Sequence, residues 1–162
     1  MEARSSDGLA VVAKQAYYRD ADMRPGLAAR YYREFGDART ILDVGCGTGD
    51  FGRLRPSSAI SVHGVDIDAL AVEQAQRYER AACVDVDLEP LPYGEATFDA
   101  VLAKDVFEHV KDPGRLAREV HRVTRPGGVI VCSVVMARPR RVWADYTHLR
   151  GFTQDSARLL LE

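Results

Sequence analysis

The densest run of chemically suggestive residues is Asp43-Val44-Gly45-Cys46-Gly47-Thr48-Gly49-Asp50-Phe51-Gly52. Residues without a Cβ let a ligand lie against the backbone, and a turn into a helix offers that ligand unpaired N–H groups. Gly45, Gly47 and Gly49 are expected to supply the clearance, with Cys46 inside the same turn. Asp66 follows Gly47 by 19 positions and closes a second apolar run. In a parallel α/β sheet the ends of neighbouring strands meet in a ligand crevice, so the turn and this acid are expected to face one site.

The two oxygens of a carboxylate match the two hydroxyls of a ribose. That chemistry suits an adenosine-containing dinucleotide and S-adenosylmethionine alike, and a plain strand-ending aspartate is the bland alternative. Gly47, Gly49 and Gly52 also fit the GxGxxG spacing of dinucleotide sites. Asp43, however, stands where a pyrophosphate would meet negative charge. A ligand carrying an ammonium and a sulfonium is better served by a carboxylate there. The additional Gly45 makes the turn GxGxG, denser than a dinucleotide requires.

These residues need strands and helices to hold them. Helices are predicted from Leu9 to about Tyr18 and from Pro25 to Phe35, the second ended by Gly36. A strand from about Thr40 to Val44 leads into the glycine turn and a short helix that Pro56 must limit. A strand from Ser61 to Val65 precedes a helix with Asp68 as N-cap and Ala69, Val72 and Ala75 on one side. Further strands are predicted around Cys83 to Val86, over TFDAVLAK and over GVIVCSVV, the last as apolar as a strand covered on both faces. Pro113 begins another helix, Pro126-Gly127-Gly128 stops it, and a last helix runs from about Thr153 or Gln154 to Leu161. Alternating strands and helices imply a doubly wound, mostly parallel α/β sheet with right-handed crossovers.

The chain has 162 residues, 46% hydrophobic and 28% charged, which suits one globular domain. A net charge of −2 gives no reason to expect a nucleic acid or an anionic membrane as partner. Neither a membrane-spanning run nor a secretory signal is legible, so a cytoplasmic location is expected. Cys46, Cys83 and Cys132 are widely spaced, so reduced, mostly buried thiols are expected, with no disulfide framework and no metal site.

Five ordered segments together resemble the class I S-adenosylmethionine-dependent methyltransferases, in particular the group acting on small molecules, quinones and lipids. ILDVGCGTGDFG resembles the glycine-rich first motif and VHGVDID the acidic second motif. DLEPLPYGEATFDAVLAKDVFEHVKDP, REVHRVTRPGGVIVCSV and DYTHLRGFTQDSARLLLE resemble the stretches that follow in that family. The resemblance implies a Rossmann-like methyltransferase fold, S-adenosylmethionine as cofactor and direct methyl transfer to a small-molecule or lipid-like acceptor. It places the methionine part on Asp43, Gly45, Cys46 and Gly47, and the ribose on Asp66. It packs the adenine against Ile67, reads its amino group with Asp87 and its ring at Leu88, and sets Lys104 on the methyl-bearing side. Glu108-His109 is read as a loop-orienting pair, and His109 and His148 are the candidates for a general base. For His148 a cap on the last helix is an equal reading. His63 and His121 are read as structural or solvated, the arginines at 138, 140 and 141 as a solvated loop, and Tyr17-Tyr18 as part of a lid helix or of simple packing.

The family fold has seven strands, whereas five, in the order 3-2-1-4-5, are legible here, and the last two are expected to be missing. On this reading residues 1–36 form a helical lid region and 37–162 a C-terminally incomplete core. GVIVCSVV would then lie at a sheet edge and invite self-association. A nicotinamide-dependent oxidoreductase and a non-catalytic cofactor-binding or interaction module are the alternatives.

Overall fold

In the computed structural model of the chain, residues 3–4, 10–12, 23–75 and 78–162 are described. Seven strands form one sheet: β1 (Ala3–Arg4), β2 (Ala10–Val12), β3 (Thr40–Val44), β4 (Ser61–Asp66), β5 (Arg80–Cys83), β6 (Phe98–Lys104) and β7 (Thr124–Ser133). Their order is β1-β2-β7-β6-β3-β4-β5. From β2 to β5 every pairing is parallel, and β1 adds antiparallel to β2. The five strands expected from sequence are β3 to β7, and they stand in the expected 3-2-1-4-5 order.

Two expectations at the N-terminus change. Ala10–Val12 is a strand on the edge of β7, with Ala10 beside Val129 and Val12 beside Val131, where a helix from Leu9 was expected. A short apolar run such as LAVV does not by itself distinguish helix from strand, and an apolar β7 offers it a ready ladder. The GVIVCSVV strand is therefore paired on both sides along these residues, which removes the reason for expecting self-association there. The rest of that expected helix, including Tyr17 and Tyr18, lies outside the described residues.

The helices are α1 (Pro25–Phe35), α2 (Asp50–Arg53), α3 (Ala69–Gln74), α4 (Pro113–Val123), α5 (Pro139–Val142) and α6 (Gln154–Leu161). Successive strand residues point to opposite faces. Leu42, Val44, Val101 and Ala103 accordingly pack with Leu116, Val120, Val123 of α4 and Leu161 of α6. Ile41, Ala100 and Leu102 pack on the other face with Ala28, Tyr31, Tyr32 and Phe35 of α1. Among the described residues no helix is long and apolar enough to cross a membrane.

Several local contacts explain why the elements end where they do. Asp68 caps α3 by accepting from Leu70 and Ala71 N–H at 2.9 and 3.2 Å. Helix α6 carries a reciprocal capping box between Thr153 and Ser156. After α4 the chain does not simply stop at Pro126-Gly127-Gly128. Phe98 pairs with Thr124 but Ala100 pairs with Val129, so residues 125–128 bulge out of β7, with Gly127 at φ 77°. Strand β5 ends at Cys83, where sequence had placed it from Cys83 to Val86, and Cys83 is exposed rather than buried.

Candidate functional site

The glycine turn sits at the carboxyl end of β3, the middle strand of the five from β3 to β7. It is tied to β4 by Gly45 and Cys46 N–H bonds to the Val65 carbonyl, at 2.8 and 3.0 Å. Helix α2 is only four residues long, yet it is held firmly. Phe51 stacks on Tyr32 with centroids 4.4 Å apart, Tyr31 and Phe35 meet it edge-on, and the Tyr32 hydroxyl donates to the Phe51 carbonyl at 3.0 Å. Aromatic contacts of this kind add to the area they bury. Thus α1 clamps the short helix that follows the glycine turn.

The acid at the end of β4 meets that turn directly. Gly47 N–H donates to Asp66 Oδ2 at 2.7 Å, and Asp68 N–H donates to Oδ1 at 3.0 Å. These two bonds fix the carboxylate and leave it further lone pairs for a diol. Gly47 lies at φ 50°, and a Cβ there would meet nothing within 4 Å, so the crevice is open at this position. Ile67 is 67% exposed and Leu88 73% exposed, two large apolar side chains that follow the neighbouring strands β4 and β5. Asp87 accepts from Lys111 N–H at 2.8 Å through one oxygen, which joins the loop after β6 to this side. An adenosine-bearing cofactor fits what is present here: a fixed carboxylate able to accept from a diol beside an open glycine.

The other glycines serve the fold. A Cβ on Gly45 would stand 2.5 Å from Val106, and one on Gly49 would stand 3.0 Å from the Cα of Ala75. Gly52 and Gly64 both give way to the Tyr78 ring, which would lie 2.0 and 2.4 Å from their Cβ atoms. Clearance for a ligand, expected at Gly45, Gly47 and Gly49, is thus confined to Gly47; protein fills the space at Gly45 and Gly49. Tyr78 is the residue that sequence reasoning missed. Its hydroxyl donates to Asp43 and accepts from Gly52 N–H at 3.3 Å. The lone glycine inside β4 was the available signal, since such a residue marks a close approach.

Asp43 is only 3% exposed. Burial pushes its carboxyl up to about 7, and Asp66 adds to the rise, while the Tyr78 hydrogen bond and the Lys104 charge act against it. Burial likewise holds the Tyr78 phenol well above its ordinary value, helped by the charge of Asp43. Lys104 ends β6 with its side chain largely buried and its ammonium 2.6 Å from Asp105 Oδ2. Asp105 has φ 53°, and Ser133 Oγ donates to its other oxygen at 2.7 Å. Cys46 is buried in the turn, and its thiol is pushed well up by that burial.

The loop after β6 carries Glu108 and His109, and the segment before α6 brings His148 to them. The two imidazoles lie 4.8 Å apart, centroid to centroid. Leu149 N–H donates to the Glu108 carbonyl at 2.8 Å, and Arg150 donates to the carbonyls of Val110 and Lys111. Glu108 is fully buried, and Val135 N–H donates to its Oε1 at 3.0 Å. His148 Nδ1 is 2.8 Å from the Val142 carbonyl and does not cap α6; Thr153 does that. His63 rests between Tyr93 and Phe98, and His121 Nε2 donates to the Leu161 carbonyl at 2.8 Å.

A mostly parallel sheet of this order, with a glycine turn bonded to the acid that ends the adjacent strand, is a Rossmann-like α/β fold. The family model described as a methyltransferase domain matches residues 42–132. The chain belongs to that family, the class I S-adenosylmethionine-dependent methyltransferases. It is 30% identical over 125 residues to the ubiquinone biosynthesis O-methyltransferase of Pseudomonas paraeruginosa, covering 74% of this chain and 50% of that protein. It is 31% identical over 121 residues to the malonyl-acyl-carrier-protein O-methyltransferase of Pseudescherichia vulneris, covering 73% and 48%. A SAM-dependent methyltransferase from Archaeoglobus fulgidus shares the fold, with a TM-score of 0.72 at 22% identity over 85% of this chain and 65% of that one. The chain spans about half the length of the curated relatives it matches.

Proposed function

We propose that this domain binds S-adenosylmethionine and serves methyl transfer to a small-molecule or lipid-like acceptor. The observation that carries the reading is the 2.7 Å bond from Gly47 N–H to Asp66, which sets a carboxylate and an open glycine face at one crevice. In that crevice Asp66 takes the ribose diol, Ile67 and Leu88 flank the adenine, and Asp87 accepts from its amino group. The backbone at Gly45, Cys46 and Gly47 holds the methionine part. Asp43 acts from behind the turn, its charge favouring a cationic group there when it is ionised. Lys104 faces the reacting side.

The bound cofactor supplies an activated methyl group, so the work left to the chain is alignment and exclusion of water. His109 and His148 are the groups able to take a proton from an acceptor that must lose one. The acceptor class rests on the names of the ubiquinone and malonyl-acyl-carrier-protein relatives, and the net charge of −2 supports a partner other than nucleic acid. Isothermal titration with S-adenosylhomocysteine and, separately, with NAD tests the reading. One equivalent of S-adenosylhomocysteine is expected to bind and NAD is expected not to; tighter binding of NAD would refute it.

A further inference from the structure

Glu108, His109 and His148 each offer one ligand atom within 4.8 Å of the others, the one such group of three among the described residues. The hydrogen bonds around them fix which atoms are on offer. The Val142 carbonyl can only accept, so His148 Nδ1 carries the proton and its Nε2 carries the lone pair. The Thr147 hydroxyl donates its proton to Asp145 Oδ1 at 2.6 Å, so at 3.0 Å from His109 Nδ1 it acts as acceptor. His109 Nδ1 is therefore protonated too, and its Nε2 is the lone-pair nitrogen. Both rings are oriented through Nδ1 by an oxygen, the arrangement that metal-binding histidines use.

The third member is stronger evidence. Glu108 is 1% exposed, and its Oε2 has no hydrogen-bond partner among the described residues. Leaving a buried carboxylate oxygen unpaired is costly, and buried charges are paired or bind metal. One ring nitrogen from each histidine and one carboxylate oxygen of Glu108 share this small space.

We propose that Glu108, His109 and His148 form a binding site for one divalent transition-metal ion, Zn2+ being the best match to a two-histidine, one-carboxylate set. Zinc takes such ligands at about 2.0–2.2 Å, which puts them roughly 3.3 Å from one another, so the group closes by at most about 1.5 Å on the ion. The frame for this closure is in place. Leu149, Arg150 and Thr147 bind the His148 segment to the loop of Glu108 and His109. Three protein ligands leave a fourth position of the tetrahedron for water. Metal binding there would occupy the ring nitrogens of His109 and His148 and so exclude them as proton acceptors, whereas cofactor binding at Asp66 does not depend on it.

The test is Zn2+ binding by the metal-stripped 162-residue chain, followed by competition with a chromophoric chelator and by thermal unfolding. One equivalent is expected to bind and to raise the midpoint. Co2+ in its place is expected to give the intense visible bands of four-coordinate cobalt without thiolate charge transfer, which excludes Cys83. Glu108→Gln and His148→Ala are each expected to weaken uptake at least 30-fold, a difference of about 2 kcal/mol. Circular dichroism of each variant confirms that it is folded. If those variants do not fold, His109→Ala, at a half-buried position, is read in their place. Absence of stoichiometric uptake by the parent chain, or uptake that survives the substitutions in folded protein, overturns the proposal.

Discussion

The two ends of the sheet treat their buried acids in opposite ways. At the amino end, Asp99 of β6 accepts from Arg39 and Thr40 N–H at 2.6 and 3.0 Å and pairs with Arg125 at 2.6 Å. Against the cost of burial, these partners hold its carboxyl below the ordinary range. At the carboxyl end, burial pushes both Asp43 and Glu108 up to about 7, and one oxygen of Glu108 has no partner among the described residues. A satisfied acid stabilises the fold, whereas a carboxyl kept poorly satisfied is a reserve of chemical potential that concentrates at working sites. The difference teaches that one rim fastens its acid with partners, while the other keeps its acids raised by burial, as the proposed ligand crevice requires.

The comparison breaks most visibly at Asp99. Its replacement by Ala strips the acceptor from two backbone N–H groups and a guanidinium, and is expected to cost roughly 3 kcal/mol in urea unfolding. Binding of S-adenosylhomocysteine by the folded variant should be unchanged. A loss of affinity with stability intact would show that the two rims are not separate.

The glycines sharpen the same contrast. Gly52→Ala drives a methyl into the Tyr78 ring, which Asp43 and the Gly52 N–H hold in place. That overpacking is expected to cost about 2 kcal/mol. Gly47→Ala meets no atom but adopts a positive φ, and is expected to cost about 1 kcal/mol. The ranking should reverse when S-adenosylhomocysteine is titrated, with Gly47→Ala the more damaging. Equal effects on affinity would argue that the open space at Gly47 is not where the ligand lies.

The smallest effect is on pH dependence. The folded-state value of Asp43, about 7, lies above its ordinary 3.8, so the folded protein binds this proton the more tightly. The stability it contributes is full below about pH 4 and is lost as pH rises through 7. Asp99, held low, contributes in the opposite sense, present at neutral pH and lost as pH falls. Asp43→Asn should therefore flatten the decline in melting temperature between pH 5 and pH 8. An unchanged slope would mean that Asp43 stays ionised throughout.

Much of this was legible in the sequence, for physical reasons. Strong periodicity and Gly or Pro punctuation marked β3, β4, β6, α1 and α4, and the spacing from Gly47 to Asp66 carried the crevice. What escaped depends on distant parts of the chain. Tyr78 reaches Asp43 across 35 residues, and His148 reaches His109 across 39, separations that no local spacing encodes. Ala10–Val12 escaped for a different reason: a short apolar run takes the structure of whatever edge it meets. The bulge at 125–128 escaped because Pro and Gly announce a break without saying which partner strand continues past it.

The central claim is that Asp66, fixed by Gly47, binds the sugar of an adenosine. Calorimetric titration of S-adenosylhomocysteine into the parent chain, Asp66→Ala and Asp68→Ala tests it most directly. Loss of charge-assisted bonds worth about 1.5–3 kcal/mol predicts an affinity at least tenfold weaker in Asp66→Ala. Asp68→Ala, which only uncaps α3, should bind like the parent. Parent-like affinity in a folded Asp66→Ala protein would contradict the account.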